Sequence, residues 1–261
     1  MLNEITPVLL TFNEAQNIGR TLSRLEWAKD IVVVDCGSTD ETVSIVARSP
    51  QARVFHRAFD THANQWRYAV EQTGIRTNWI LRLDADYEIT EALKKEISLL
   101  DSEAPVNGYC ISFDYAIFGQ KLVSSLYPPN TILMRMGQFS VRDEGHTERW
   151  TVRGPVKELK ARIIHNDWKS IEHWVSSQGR YMRRELSYVR ESGSGVRGAL
   201  RRYPPLMPLA TFLYCLLVKG LIIDGRAGMF YALQRLVAES VLALMLLEEE
   251  LRGESETAKS E

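Results

Sequence analysis

Short apolar runs and helical stripes take turns along the first third of the chain. Residues 5–12 form a β-rich apolar run. Residues 16–25 then place Ile18, Leu22 and Leu25 on one helical face. Ile31-Val32-Val33-Val34-Asp35 is apolar without interruption until its end, the pattern of a strand buried on both faces. A second helix carries Val43, Ile45 and Val46, with Ser38 or Thr39 as its predicted cap and acids in its first turn. A short third strand at 52–55, a helix at 64–73 and a fourth strand at 79–83 follow. Strands and helices in strict alternation predict an α/β fold on a parallel sheet, with ligands beyond the carboxyl ends of its strands.

The pattern loosens afterwards. Residues 91–100 read as an amphipathic helix with Leu93, Ile97 and Leu100 inward, and 108–118 and 130–136 as strands. A short strand at 162–168 sets His165 near Asp167, and 170–186 is helical. Arginines then accumulate at Arg180, Arg183, Arg184, Arg190, Arg197, Arg201 and Arg202. Residues 206–218 are apolar, and a helix with a broad apolar stripe spans 229–251. The expected organisation is a domain at 1–190, a helical region at 191–251 and a disordered acidic tail at 252–261. No apolar stretch is expected to reach the roughly 18 residues that cross a bilayer.

Composition narrows the classes. Charged residues make up 25% and the net charge is −1, so no overall basic bias points to nucleic acid. Cys36, Cys110 and Cys215 are an odd count without metal-type spacing, which favours a reducing compartment over a disulfide framework. The first residues carry no basic region followed by an apolar run, so no secretory signal is expected.

The candidate chemistry centres on Trp79-Ile80-Leu81-Arg82-Leu83-Asp84-Ala85-Asp86. Residues i and i+2 on a strand share a side, so Asp84 and Asp86 can converge on one cation. Two carboxylates plus phosphate oxygens commonly hold Mg²⁺ or Mn²⁺ beside a nucleotide. Thr11, Asn13 and Asp35 also lie at predicted strand ends. No G-x-G-x-x-G follows the first strand and no P-loop occurs anywhere, so a dinucleotide fingerprint and a P-loop are unsupported.

Thr11-Phe12-Asn13-Glu14, then Val33-Val34-Asp35-Cys36-Gly37-Ser38-Thr39-Asp40-Glu41-Thr42, then Asp84-Ala85-Asp86 together resemble a family 2 glycosyltransferase with the GT-A fold. The resemblance covers the first half most strongly, and Cys36 stands where Asp or Ser is more usual. It implies a GT-A (Rossmann-like) mainly parallel sheet flanked by helices, with a nucleotide-sugar half at 1–100 and an acceptor half at 101–190. It places Thr11, Asn13, Glu14 and Asp35 on the nucleoside, with Gln65 and Arg67 as further contacts. Asp84 and Asp86 hold a divalent metal on the diphosphate, and His165 is the expected third ligand, with Asp167 in support. An inverting transfer needs a general base for the acceptor hydroxyl. Glu144, Asp143 and His146 are the candidates, and the choice among them stays open. Glu148 stands where a Gln is expected.

The segment from His146 to Glu185 resembles the branch that builds lipopolysaccharide core and related surface glycans. The donor is then a nucleotide sugar, UDP-linked by default, and the acceptor a glycolipid or lipid-linked glycan. Gln178-Gly179-Arg180-Tyr181 departs from the Q-x-x-R-W pattern of processive synthases, so one sugar per encounter is expected. The arginines and apolar segments fit peripheral contact with the cytoplasmic face of the inner membrane. In the competing expectation the two segments pack as a helical hairpin on the sheet domain or across a homodimer, and the arginines bind a phosphorylated sugar acceptor. A sugar nucleotidyltransferase would carry a Gly-rich basic loop after the first strand, which Thr11-Phe12-Asn13-Glu14 is not. A non-catalytic membrane-surface scaffold is the remaining alternative.

Overall fold

The computed structural model describes residues 1–144, 147–192 and 206–260. They divide into two compact units, one of residues 1–121 and 127–168, the other of residues 122–126 and 169–261.

The first unit is built on a seven-stranded sheet. Its parallel half is β1 (Ile5–Thr11), β2 (Ile31–Asp35), β3 (Ala52–His56) and β4 (Trp79–Asp84). Helices α1 (Ile18–Ser23), α2 (Thr42–Val46) and α3 (His62–Glu71) form the connections. The chain then adds β5 (Tyr87–Ile89), α4 (Glu91–Ser98), β6 (Gly108–Ile111), β7 (Phe113–Ile117), β8 (Gln120–Lys121) and β9 (Asn130–Arg135). A hairpin of β10 (Phe139–Glu144) and β11 (Thr147–Val152) follows, then β12 (Val156–Glu158) and β13 (Ile163–Asp167). The large sheet has the order β12-β6-β9-β4-β1-β2-β3, and β5-β13-β7-β8 form a second sheet. Only β9 runs against its neighbours in the large sheet.

Alternation sorts the core into two layers. Ile5, Leu9, Ile31, Val33, Trp79, Leu81 and Leu83 enter one apolar cluster. Val8, Val32, Val34 and Ile80 face the other, which holds Trp66 and Ala69 of α3. Burial on both faces explains the unbroken valine run of β2.

Several elements depart from expectation. The predicted strand at 108–118 is two strands in different sheets, separated by Ser112, because β7 pairs with β13 while β6 pairs with β9. The strand β5 has no counterpart in the predicted pattern; three residues are too few for a periodic signal. Neither Ser38 nor Thr39 caps α2, which begins after Glu41 without a side-chain cap and has no acid in its first turn. The Ser38 hydroxyl instead donates to Asp35 and accepts from the Asn13 amide, and the Thr39 hydroxyl donates to Asn13. The polar stretch around 140–148 is an antiparallel hairpin in register from Phe139↔Val152 to Glu144↔Thr147.

The second unit is helical. It comprises α5 (Ile171–Ser192), α6 (Leu206–Leu213), a π-helical turn at Tyr214–Val218, a 3₁₀ turn at Leu221–Asp224 and α7 (Gly225–Ser260). Residues 122–126 join it: the Val123 amide donates to Asp224 Oδ2 at 3.0 Å, and the Leu126 amide to the Tyr231 hydroxyl at 2.9 Å. Helix α7 continues to Ser260, where a disordered tail is expected from the acidic composition. Glu, Ala and Lys favour helix, and Arg252 bonds Glu248 one turn away at 2.6 Å, so local propensity carries the helix onward. Contrary to the expectation that no stretch is long enough to span, Leu221–Arg252 is long and apolar enough to cross a bilayer by length and composition alone, because its scattered polar residues are diluted among many leucines, valines and alanines.

Leu83 is fully buried and Leu99 is 78% exposed, so truncating each separates core from surface. Leu83→Ala is expected to cost about 2–5 kcal/mol in urea denaturation, and Leu99→Ala less than about 0.5 kcal/mol.

Candidate functional site

The site forms where β4 ends. Arg82 and Asp84 alternate to the same face of β4, Asp84 is its last residue, and Asp86 lies in the turn that leads into β5. Strand β5 then leaves the large sheet and pairs antiparallel with β13, with Tyr87 opposite His165. The Asn166 amide donates to the Asp86 carbonyl at 3.0 Å, which ties β13 to that turn. This register brings His165 Nε2 to 3.0 Å from Asp86 Oδ2 across 79 residues of sequence. Asp84, Asp86 and His165 thus share one corner. Among the described residues, no group of three His, Cys, Asp or Glu side chains is arranged to hold a metal ion unaided.

The corner is electrostatically tense. The Asp84 carboxyl is raised above the usual carboxylate range, first by the protein packed behind it, then by the charge of Asp86; Arg82 partly offsets this. Burial works against a charged His165, but the charge and hydrogen bond of Asp86 outweigh it and raise the imidazole. His165 is ringed by Tyr127, Tyr115 and Tyr87, with centroids at 4.6, 4.7 and 5.4 Å. The Tyr87 and Tyr127 hydroxyls meet at 2.5 Å. Burial, then the charge of Asp84, pushes both phenols up.

The strand ends of β1 and β2 form a second cluster. Asp35 is 1% exposed, and its carboxylate accepts from the Thr11 hydroxyl, the Gly37 and Ser38 amides and the Ser38 hydroxyl. Gly37, at φ +92°, supplies the left-handed turn that lets two successive amides face one carboxylate. Those bonds outweigh burial and hold the Asp35 carboxyl below its ordinary range. Asn13, at φ +54°, accepts from the Thr39 amide at 2.8 Å and donates its own amide to Ser38 Oγ. The Glu14 amide donates to Thr42 Oγ1 at 2.7 Å. Thr11, Asn13, Glu14 and Asp35 are therefore together, but Asp35 and Thr11 are buried and spend their side chains on each other and on the loop.

Gln65 is fully buried, and its amide donates to the Arg57 and Ala58 carbonyls at 3.0 and 3.1 Å. It shapes the approach to α3. Arg67 is half-buried and donates to Asn64 and to the Val141 carbonyl. The side chains of Asp143 and Glu144, and the whole of His146, lie outside the described residues.

Three groups escaped the sequence reading. Arg82 is 8% exposed, stands over Trp150 and Trp66 at 5.2 and 5.8 Å, and approaches Glu148 of β11 at 3.6 Å. A charge inside a strand otherwise apolar from Trp79 to Leu83 was the available signal. The tyrosines around His165 come from three segments whose juxtaposition only the second sheet reveals. A partly buried polar belt links the two clusters. Asn17 donates to Glu14 at 2.9 Å and Asp167 at 2.8 Å and accepts from the Trp168 amide. Arg20 pairs with Glu88 at 3.3 Å, and Asn166 donates to the same carboxylate at 2.8 Å. Asn17 and Arg20, one helical turn apart, carried a faint signal as polar residues beside Ile18 and Leu22.

The profile of the family described as glycosyl transferase family 2 matches residues 7–160. The chain belongs to that family, and its sheet is that of a GT-A domain flanked by helices. Among curated relatives, an uncharacterized glycosyltransferase of Rickettsia bellii is 34% identical over 101 residues, covering 38% of this chain and 33% of the relative. The lipopolysaccharide core biosynthesis glycosyltransferase LpsC of Rhizobium meliloti is 30% identical over 95 residues, covering 35% and 34%. The matched stretch thus spans about a third of these relatives' length. Among solved structures, S. aureus TarS 1–349 aligns over 95% of this chain and 92% of its own at 14% identity and a TM-score of 0.49. Mycobacterium tuberculosis glucosyl-3-phosphoglycerate synthase, crystallised with Mn²⁺, UDP and glucosyl-3-phosphoglycerate, aligns over 44% of each chain at 18% identity and a TM-score of 0.36.

A carboxylate held below its unfolded value stabilises above the unfolded pKa and loses that contribution as pH falls through the folded one. Asp35→Asn should therefore cost about 1–3 kcal/mol at pH 7, since an amide group must face the Gly37 and Ser38 donors. The gap between the two proteins should narrow below about pH 4 in urea denaturation series.

Proposed function

We propose that the protein is an inverting glycosyltransferase that moves one sugar from a nucleotide-diphospho-sugar, UDP-linked by default, to a lipid-linked acceptor. The observation that carries this reading is the corner of Asp84, Asp86 and His165 at the carboxyl end of β4, in a chain of family 2. LpsC is named for lipopolysaccharide core biosynthesis, and that name favours a core sugar or another lipid-linked glycan as acceptor.

The donor set fits a hard divalent cation, Mg²⁺ or Mn²⁺. Asp84 and Asp86 repel each other, a repulsion a cation relieves, and the diphosphate supplies further oxygens. When bound, the metal would offset the charge of the departing nucleoside diphosphate. Asp84, Asp86 and His165 would hold it, His165 surrendering the proton that Asp86 now favours. Asn13, Glu14 and Arg67 border the nucleoside, while Thr11, Asp35 and Gln65 set the loops that receive it. The acceptor hydroxyl gives its proton to a base on the hairpin, from Asp143, Glu144 or His146. A nucleotidyltransferase or an inert scaffold gains nothing from the family match.

We place the enzyme at the cytoplasmic face of the inner membrane, held peripherally by the helical region, with a homodimer as the competing use of those helices. The domain reading remains a catalytic part at 1–190 followed by that region.

Asp86→Ala should abolish divalent-dependent release of nucleotide from a nucleotide sugar. His165→Ala should raise the Mn²⁺ needed for half-maximal rate by about 10–100-fold. Undiminished release by Asp86→Ala in EDTA would remove the basis for the scheme. The full chain should also sediment with phosphatidylglycerol-rich vesicles; a chain left wholly in the supernatant rules out the peripheral placement.

A further inference from the structure

The helical unit presents a one-sided apolar surface. Leu206, Leu209, Leu213 and Leu217 recur at three- and four-residue intervals and are 44–66% exposed. Cys215 and Leu216 are buried on the other side of the π-helical turn. Gly220, at φ +71°, then turns the chain, and Ile222 and Ile223 project at 58% and 79% exposure. Residues 206–223 contain no acid and a single charge, Lys219. Its ammonium lies 6.0 Å from the ring of the exposed Tyr214. Exposed Arg226 follows at the start of α7.

We propose that this element, residues 206–223, is a monotopic anchor that seats its aliphatic stripe in an anionic lipid surface. The inference rests only on the peripheral-membrane part of the function proposed above. Thirteen helical residues, Leu206–Val218, reach about 20 Å, short of a hydrocarbon core of about 30 Å, so the segment lies flat. Leucines and isoleucines then enter the acyl boundary. Tyr214 and Lys219 pair an amphipathic ring with a long-stemmed cation, the combination that sits at headgroup depth. The charges decide against a second copy as the cover. A second copy of the stripe would bring no acid to Lys219 or Arg226 in either orientation, since residues 206–223 contain none. Asp224 accepts from the Val123 amide at 3.0 Å. Anionic headgroups neutralise both cations.

The test uses the full chain and flotation with phosphatidylglycerol-rich vesicles against pure phosphatidylcholine. The Leu217→Asp/Ile223→Asp double variant should lose on the order of tenfold or more in partitioning. Leu217→Met/Ile223→Met should bind as the parent does. Leu217→Ser/Ile223→Ser, gentler on folding, should fall between them, with a melting curve unchanged from the parent in every case used. Equal partitioning of folded parent and polar variants would overturn the anchor while leaving peripheral binding through other residues intact. A parent that is dimeric without lipid and made monomeric by the serine pair would assign the stripe to a second copy and overturn it too. Failure to bind any vesicle would remove both anchor and placement, and sugar transfer would be unaffected by that result.

Discussion

Two carboxylates set side by side where a strand leaves its sheet repel one another, and much of the first unit is arranged to tolerate that repulsion. Asp84 stays above its normal range because protein packs behind it and Asp86 stands in front. His165 supplies the compensating partner, and it arrives only because β5 pairs with β13. Tyrosines close around the imidazole, so the pair sits in a medium where charge interactions are stronger than in water. Such a corner holds unspent attraction for a cation, which is the physical basis of the activity proposed above.

The cluster at the ends of β1 and β2 is organised on a different principle. There the negative charge of Asp35 is fully satisfied by donors from its own loop and from β1. The result is a rigid shelf rather than a reactive group. Asn17 and its neighbours tie that shelf to the end of β13, since one side chain bonds both Glu14 and Asp167. The two clusters are therefore tied to each other by partly buried polar contacts, and loss of a partner of the buried Asn17 leaves a polar group unsatisfied.

The parallel half of the sheet was legible because its signals are local. Unbroken valines marked β2, and helical spacing marked α1 and α3. The acids at strand ends could be listed from pattern alone. What escaped was set by distant pairing. A three-residue strand such as β5 has no period to read, yet it determines which histidine faces Asp86. The change of sheet at Ser112 depends on partners some fifty residues downstream. Asp35 was legible as a polar residue at a strand end and Gln65 as one on a helix, but their burial was not. Sequence shows that a carboxylate or amide is present, and only packing shows whether it is spent inward. The helix that runs to Ser260 follows local propensity, whereas the acidic composition of the same residues points to disorder.

The passage from β4 to β5 consists of Ala85 and Asp86 alone. Side chains on a strand alternate, so adding or removing one residue there would shift the register of β5 against β13 and turn each of its side chains to the opposite face. Tyr87 would leave the imidazole, and Glu88 would leave Arg20 and Asn166, in a single event. The length of this two-residue link is thus closed to gradual change, while the loops around it stay free to diverge. New substrate preferences in such a domain have to arise by remodelling those loops around a corner that cannot be respaced.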